Sequence, residues 1–175
     1  MRVNRRQLLL ATCALGAQAA LSACGQKTGQ TVVPAEFNVA STCDLDGMLL
    51  ADYPGPKAQI HFAGESRPTW YCDTAEMFST LLKPEQVRTV LGVFVQDMEL
   101  ADWDRPRGYW FDARTGTYVL GSRRRGSMGP TIASFRQEAA ARKFATSFGG
   151  QVMRFAEVKP EMVDLSGGAL HDSRM

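Results

Sequence analysis

The hydrophobic and polar positions between residues 41 and 160 follow the order strand, strand, helix, strand twice. Short apolar or alternating runs bounded by turn residues are typical of strands, whereas apolar residues three or four positions apart indicate a helix. In the first half, the predicted strands are Met48–Asp52, Lys57–Phe62 and Val87–Val95. Asp73 and Glu76 have the spacing of a capping box and predict a helix before the third strand.

The second half has the same pattern with different residues. Tyr109–Ala113 and Thr117–Leu120 are predicted to form a hairpin, because the segment between them contains turn residues. Ser134 and Gln137 have the spacing of a second capping box and predict a second helix after them. Val152–Val158 is then predicted as the last strand, after a glycine pair that ends the helix.

The sequence therefore predicts an α+β fold of two related ββαβ units with mainly antiparallel sheets, because hairpins need only short turns. Each unit has about 55 residues and buries only a thin core, so we expect the two units to stabilise each other. The predicted organisation is a signal peptide over 1–23, a flexible tether over 24–40, a first unit over 41–97, a second unit over 98–160 and a disordered tail over 161–175.

The N-terminus has the layout of a bacterial export signal, with three arginines among the first six residues, then an apolar stretch and small residues. The four residues that end at Cys24 resemble a lipobox, in which the cysteine thiol is acylated and becomes the first residue of the mature chain. Such acylation anchors a protein to a membrane. The resemblance implies a periplasm-facing chain anchored through Cys24, with Gly25 favouring the outer membrane. Both the general secretory route and the twin-arginine route fit this signal.

Charge and composition exclude two classes of function. A formal net charge of +2 over 175 residues does not provide the dense basic face of nucleic-acid-binding proteins, so no nucleic-acid partner is expected. The chain has two histidines, His61 and His171, and no glycine-rich phosphate loop. A Ser-His-Asp triad and a nucleotide site are therefore not expected, and the sequence predicts that the protein is not an enzyme.

Sulfur ligands are the remaining candidate chemistry. Once Cys24 is acylated, Cys43 and Cys72 carry the free thiols of the mature chain. A structural Cys43–Cys72 disulfide is one alternative, which an oxidising compartment favours. The other alternative is a metal site that begins at Cys43 and Met48, which lie on either side of a glycine. Their thiolate and thioether are soft ligands that favour Cu(I).

Two further residues are candidate copper ligands. Met128 lies in a glycine-flanked loop, whereas methionines of hydrophobic cores usually lie in periodic segments. His61 lies on the polar face of a predicted strand, where it is either solvated or a third ligand through its neutral imidazole. Zinc is less favoured because the sequence does not offer four Cys or His ligands. Calcium at Asp44 and Asp46 lacks the spacing of an EF-hand.

These motifs together resemble the NosL family of nitrous oxide reductase accessory lipoproteins. The matching segments, in chain order, are Cys43–Met48, Lys57–Ile60, Trp70, Asp73, Met77–Phe78, Val93–Asp97, Trp110–Ala113, Tyr118–Ser122, Met128–Gly129 and Gly149–Gly150. The resemblance implies two related ββαβ domains and a Cu(I) site made by Cys43 and Met128, with Met48 nearby and His61 as a further donor. Many relatives carry a second cysteine where this chain has Asp46, which leaves Cys43 as the only thiol of its motif.

The resemblance also implies a function and partners. It implies a copper chaperone that delivers Cu(I) to the apo form of nitrous oxide reductase during denitrification, with the membrane complex of NosD, NosF and NosY as a docking partner. One rival is a periplasmic lipoprotein scaffold with a Cys43–Cys72 disulfide and no metal. A second rival is an enzyme of the organomercurial-lyase kind that uses the same two cysteines and an aspartate, which only fold analogy supports.

Overall fold

The computed structural model describes residues 31–127, 129–163 and 165 of the chain. The strands are β1 Ala58–Phe62, β2 Thr69–Tyr71, β3 Val90–Gln96, β4 Trp110–Asp112, β5 Thr117–Leu120, β6 Arg125–Gly126, β7 Gly129–Pro130, β8 Ala133–Phe135 and β9 Gln151–Arg154, and the helices are α1 Thr74–Leu82 and α2 Glu138–Phe148. The predicted signal peptide, Cys24 and most of the predicted tail lie outside the described residues. Within the described ranges, no helix has the length and apolar character needed to span a membrane.

The predicted ββαβ repeat is confirmed. The first unit consists of β1, β2, α1 and β3, with the strand order β2-β1-β3, and the second consists of β5, β8, α2 and β9, with the equivalent order β8-β5-β9. The first strand of each unit lies in the centre, and each pair of neighbouring strands is antiparallel. The fold is therefore α+β with antiparallel sheets, as the sequence predicts.

The positions of several strands differ from the prediction. The predicted strand Met48–Asp52 is wrong, because this segment turns back to pair with the residues before it, through the bridge between Thr42 and Leu49. The predicted strand Tyr109–Ala113 exists as β4, but it pairs with β3 and so extends the first sheet. The second strands of the two units are instead β2 and β8. Each has three residues, which is too short for an alternating pattern to be visible in the sequence.

One predicted helix start is confirmed and the other is wrong. At the start of α1, the Asp73 carboxylate accepts the Ala75 N–H (2.8 Å) and the Glu76 carboxylate accepts the Asp73 N–H (3.3 Å), which is a capping box. Ser134 lies in β8 instead of capping α2, and its Oγ donates to the Gln96 carbonyl (2.6 Å). The helix α2 begins only at Glu138.

The two units share one hydrophobic core. Phe78 of α1 is fully buried, and its ring lies edge-on to the ring of Tyr118 in β5, with the centroids 5.0 Å apart. Ile60 and Val93 of the first sheet and Ile132 of the second unit belong to the same buried cluster. Because both units contribute to this cluster, neither unit packs its core independently of the other.

The predicted tether over 24–40 is too long. Phe37 is only 4% exposed and packs edge-on against the rings of Trp70 and Trp110, with centroid distances of 6.0 and 6.4 Å. The backbone of Ala35 exchanges two hydrogen bonds of 2.9 Å with the side-chain amide of Gln59 in β1. The folded unit therefore begins at least as early as Ala35, because one apolar side chain in this polar segment is buried against the first sheet.

Candidate metal centre

The segment from Cys43 to Met48 forms a tight turn at the edge of the candidate site. The Cys43 N–H donates to the Met48 carbonyl (2.8 Å), and the Gly47 N–H donates to the Cys43 carbonyl (2.9 Å). Gly47 has a φ of 80°, in the left-handed region that favours glycine. The turn predicted around this glycine is present, and a backbone hydrogen bond joins Cys43 to Met48 across it.

Asp44 fixes this turn to β2. Its N–H donates to the Trp70 carbonyl (2.9 Å), and its carboxylate accepts the Trp70 N–H (2.7 Å). The guanidinium of Arg67 donates to both oxygens of the same carboxylate, at 2.6 and 3.0 Å. Asp44 therefore positions the Cys43 loop, and its carboxylate is already engaged by protein donors instead of being available to the calcium ion considered from the sequence.

Cys72 and Glu76 meet Cys43 where β2 ends and α1 begins. Both cysteines are free thiols and are buried, with Cys43 2% exposed and Cys72 fully covered. The Glu76 Oε2 lies 3.2 Å from the Cys43 Sγ and 3.3 Å from the Cys72 Sγ. Together with Asp46, these residues place one potential ligand atom each within 4.8 Å of one another. We call Cys43, Asp46, Cys72 and Glu76 the thiol–carboxylate cluster.

The two carboxylates of the cluster are oriented in the same way. Asp46 accepts the Met48 N–H through Oδ1 (2.9 Å), while its Oδ2 lies 3.8 Å from the Cys72 Sγ. Glu76 accepts the N–H groups of Cys72 and Asp73 through Oε2 (3.1 and 3.3 Å), while its Oε1 lies 3.4 Å from the same sulfur. Asp46 is exposed and Glu76 is fully buried, so the cluster opens to solvent on the Asp46 side.

The thiol pair stabilises a negative charge on Cys43. The hydrogen bond with the Cys72 side chain lowers the pKa of Cys43 to about 7, although burial opposes this change. The same hydrogen bond, together with burial, raises the pKa of Cys72. Burial and then the charge on Cys43 raise the pKa of Glu76 to about 9, so the Glu76 carboxyl is neutral at pH 7. At neutral pH a substantial share of Cys43 is therefore a buried thiolate, whose charge a soft cation would neutralise.

The carbonyl of Cys72 is held by donors from two distant parts of the chain. Lys57 is fully buried, and its Nζ donates to this carbonyl (3.0 Å). The Ser127 Oγ, next to the short β6–β7 hairpin, donates to the same oxygen (2.9 Å). Ser127 is therefore held at the cluster. Met128, the following residue and a predicted copper ligand, lies outside the described residues.

The other two predicted ligands are placed differently from each other. Met48 packs against the apolar cluster that contains Cys43 and Cys72. His61 is not a member of the thiol–carboxylate cluster, and its Nε2 lies 2.9 Å from the side-chain oxygen of Gln59 in the same strand. The structure thus brings Met48 to Cys43, whereas it pairs His61 with a neighbour in β1.

Sequence reasoning does not identify three members of the cluster as ligands. It considers Cys72 as a disulfide partner or as a reactive thiol of an enzyme, and Glu76 as a helix cap. It considers Asp46 for calcium and as the residue that stands where many relatives carry a cysteine. A signal was present nonetheless. The Glu of a capping box folds back over the start of its helix, so the Glu76 carboxylate had to lie beside Cys72, the residue before the N-cap Asp73.

Titration with a thiol-specific reagent is expected to find two thiols in the denatured, copper-free chain from residue 31 onward, because Cys43 and Cys72 are both unbonded. The measurement is made without reductant, and a chemically reduced sample gives the reference value. A disulfide-bonded scaffold would instead give no reaction before reduction and two thiols after it.

Comparison with known proteins identifies the family. The NosL family model matches residues 34–163, a range that includes the whole thiol–carboxylate cluster. The chain belongs to the NosL family. The first matched residue lies beside Ala35, where the folded unit makes its first contacts with β1.

Two relatives and one solved structure agree with this assignment. The Copper-binding lipoprotein NosL of Stutzerimonas stutzeri is 35% identical over 179 residues, covering 98% of this chain and 90% of the relative. The protein of the same name from Achromobacter cycloclastes is 37% identical over 169 residues, covering 93% and 84%. The crystal structure of the copper chaperone NosL from Shewanella denitrificans is similar with a TM-score of 0.71 and 35% identity, covering 75% of this chain and 98% of that one. The NosL fold is thus shared over nearly all of that solved domain.

Proposed function

We propose that this chain is a lipid-anchored, periplasm-facing copper chaperone that binds Cu(I) and delivers it for assembly of the copper-sulfur centre of nitrous oxide reductase. The observation that carries the proposal is the buried pair of free thiols, Cys43 and Cys72, within the thiol–carboxylate cluster. Thiolates are soft ligands, which Cu(I) prefers to nitrogen or oxygen ligands. The names of the two relatives and of the solved NosL structure agree with copper as the cargo.

The proposed copper ligands begin with Cys43, whose lowered pKa makes it the thiolate most readily available at neutral pH. The thioethers of Met48 and Met128 are further soft donors, and Cys72 is a second thiol beside Cys43. The Nε2 of His61 contacts the Gln59 side chain, so the Nδ1 of His61 is the ring nitrogen left to bind copper. Copper is cargo in this proposal, so the ligands have to hold it firmly enough for transport and still release it.

The chain would act by ligand exchange and not as an enzyme. Because Asp46 is the exposed member of the cluster, a partner's ligands would reach the copper from that side. Each new partner ligand replaces one ligand of the chain, so that copper is never released to solvent. No covalent bond of a substrate is made or broken.

The membrane anchor fits a delivery role. Acylation of Cys24 would hold the chain at the periplasmic face of a membrane, and both relatives are named lipoproteins. We propose apo nitrous oxide reductase and the membrane complex of NosD, NosF and NosY as its partners. Tethering donor and acceptor machinery to one surface raises their effective concentration without any additional contact.

The delivery step predicts that copper moves from the loaded chain to apo nitrous oxide reductase. After anaerobic mixing and separation of the two proteins, we expect copper to be recovered with the reductase. The Cys43→Ser variant, supplied with the same total copper, is the matched control and is expected to transfer no more than a copper salt does. Equal loading of the reductase from the variant would contradict directed delivery by this site.

A further inference from the structure

The two carboxylates of the thiol–carboxylate cluster have no role in the proposed Cu(I) site, because Cu(I) is satisfied by two or three soft ligands. We propose that Cys43, Asp46, Cys72 and Glu76 also form a four-ligand site for a divalent cation of the zinc class. This inference deepens the proposed function and rests on it, because the same thiol pair serves both ions. In this proposal, the carboxylates bind the divalent ion and do not bind Cu(I).

The distances within the cluster fit a tetrahedral ion. Zinc binds thiolate at about 2.3 Å and carboxylate at about 2.0–2.2 Å, so neighbouring ligand atoms lie about 3.4–3.8 Å apart. The Cys72 Sγ lies 3.4 Å from the Glu76 Oε1 and 3.8 Å from the Asp46 Oδ2. The Cys43 Sγ lies 3.2 Å from the Glu76 Oε2. The same Glu76 Oε2 lies 3.3 Å from the Cys72 Sγ, and all four ligand atoms lie within 4.8 Å of one another. A tetrahedral ion therefore requires the more distant side chains to move inward by up to about 1 Å.

The carboxylates are also oriented as metal ligands are. Outer hydrogen bonds normally fix the direction of a ligating group, and one oxygen of each carboxylate accepts backbone N–H groups here. The N–H of Met48 holds Asp46, and those of Cys72 and Asp73 hold Glu76. The second oxygen of Asp46 is left directed at the Cys72 sulfur, whereas the Glu76 Oε2 accepts these N–H groups and also contacts the sulfurs of Cys43 and Cys72. The positions of the carboxylates are therefore set before an ion arrives, and the ion displaces the protons of Cys72 and Glu76 when it binds.

Three of the four proposed ligands are buried and one is exposed, so the site is open to solvent on one side. The two cysteines and Glu76 are almost completely covered, whereas Asp46 is exposed. An ion can thus be captured first by Asp46 at the surface and then by the three buried ligands. The fully buried Lys57, bound to the Cys72 carbonyl, contributes a positive charge near the remaining negative charge of a filled site.

The sequence alone disfavours zinc because it offers too few Cys and His residues. That argument counts only the ligand types of structural zinc sites, whereas carboxylate oxygens also bind zinc. The structure supplies two such oxygens beside the two thiols. Asp46 and Glu76 are harder ligands than the two thiols, which favours a divalent ion over Cu(I) at this site.

Cobalt(II) is the test probe, because it takes the place of zinc and gives thiolate-to-cobalt absorption that reports on sulfur ligands. The reduced, copper-free protein is titrated anaerobically with Co(II) and, separately, with Cu(I). We expect a charge-transfer absorption that saturates at one Co(II), disappears in Cys43→Ser and Cys72→Ser, and is bleached by added Cu(I). Asp46→Asn and Glu76→Gln should each weaken Co(II) binding by about 10-fold or more, with a smaller effect on Cu(I).

The controls are Asp104→Asn and Glu85→Gln, which make the same chemical changes at exposed carboxylates outside the cluster. Circular dichroism checks the fold of Glu76→Gln, and Asp46→Asn keeps the test decisive if that variant unfolds. Absence of the cobalt absorption while Cu(I) still binds would overturn the inference and leave the proposed function intact. Cobalt binding that neither carboxylate variant weakens would overturn the four-ligand site. Failure to bind Cu(I) would count against the proposed function itself.

Discussion

Replacing Cys43 by serine is expected to weaken Cu(I) binding by more than about 100-fold. Changes to residues that merely support metal ligands already cost about 10–100-fold in affinity, and this substitution removes a ligand. The pKa of Cys43 is also lowered to about 7, so Cys43 supplies a negatively charged thiolate that attracts Cu(I). An anaerobic titration against a competing Cu(I) chelator measures the change, and wild-type protein should bind one tight equivalent.

The other proposed sulfur ligands provide the comparison for this result. Met128→Leu is expected to weaken Cu(I) binding severely as well, whereas the same substitution at the buried core residue Met98 should leave it unchanged. Cys72→Ser distinguishes a site with two thiolates from a site with one thiolate and thioethers. If Cys43→Ser and Met128→Leu both bound copper like the wild type, the assignment of the copper site would be wrong.

Features that depend on a few neighbouring residues could be predicted from the sequence. The capping box of Asp73 and Glu76, the turn at Gly47 and the end of α2 at Gly149 each arise from local geometry, and the structure contains all three. The repeat of ββαβ units was visible for a similar reason, because its helices and central strands are long enough to show their hydrophobic periods. Cys43 and Met48 could be predicted to lie together because the turn that joins them is local.

Features that depend on tertiary contacts could not be predicted in this way. The partner of β4 is β3 of the first sheet, although β4 follows β3 by fourteen residues and directly precedes the second unit. The role of Cys72 was ambiguous because two cysteines of an exported protein fit a disulfide as well as a metal site. The distinction depends on what surrounds the sulfurs, and only the fold shows that Glu76 reaches both of them.

The helix cap and the proposed metal site therefore share one residue. Glu76 holds the N–H groups at the start of α1 and at the same time contacts the sulfurs of Cys43 and Cys72. A local rule of helix formation thus places a carboxylate at a site assembled from two distant segments. Because α1 also carries Phe78 into the core that joins the two units, the geometry of the site depends on the packing of that helix.

Phe78→Ala is expected to lower the free energy of unfolding by about 3–5 kcal/mol, the usual cost of removing a buried aromatic ring. The Phe78 side chain is fully buried and contacts the rings of Tyr118 and Phe155, at centroid distances of 5.0 and 5.2 Å. Native domains have only about 5–15 kcal/mol of stability, so this loss is a large fraction of the total. Urea unfolding followed by circular dichroism and tryptophan fluorescence measures this loss of stability.

Val87→Ala, at a side chain 87% exposed, is the control and should change the free energy of unfolding little. Because the shared core joins both units, the two signals should shift together; separate transitions would contradict a common core.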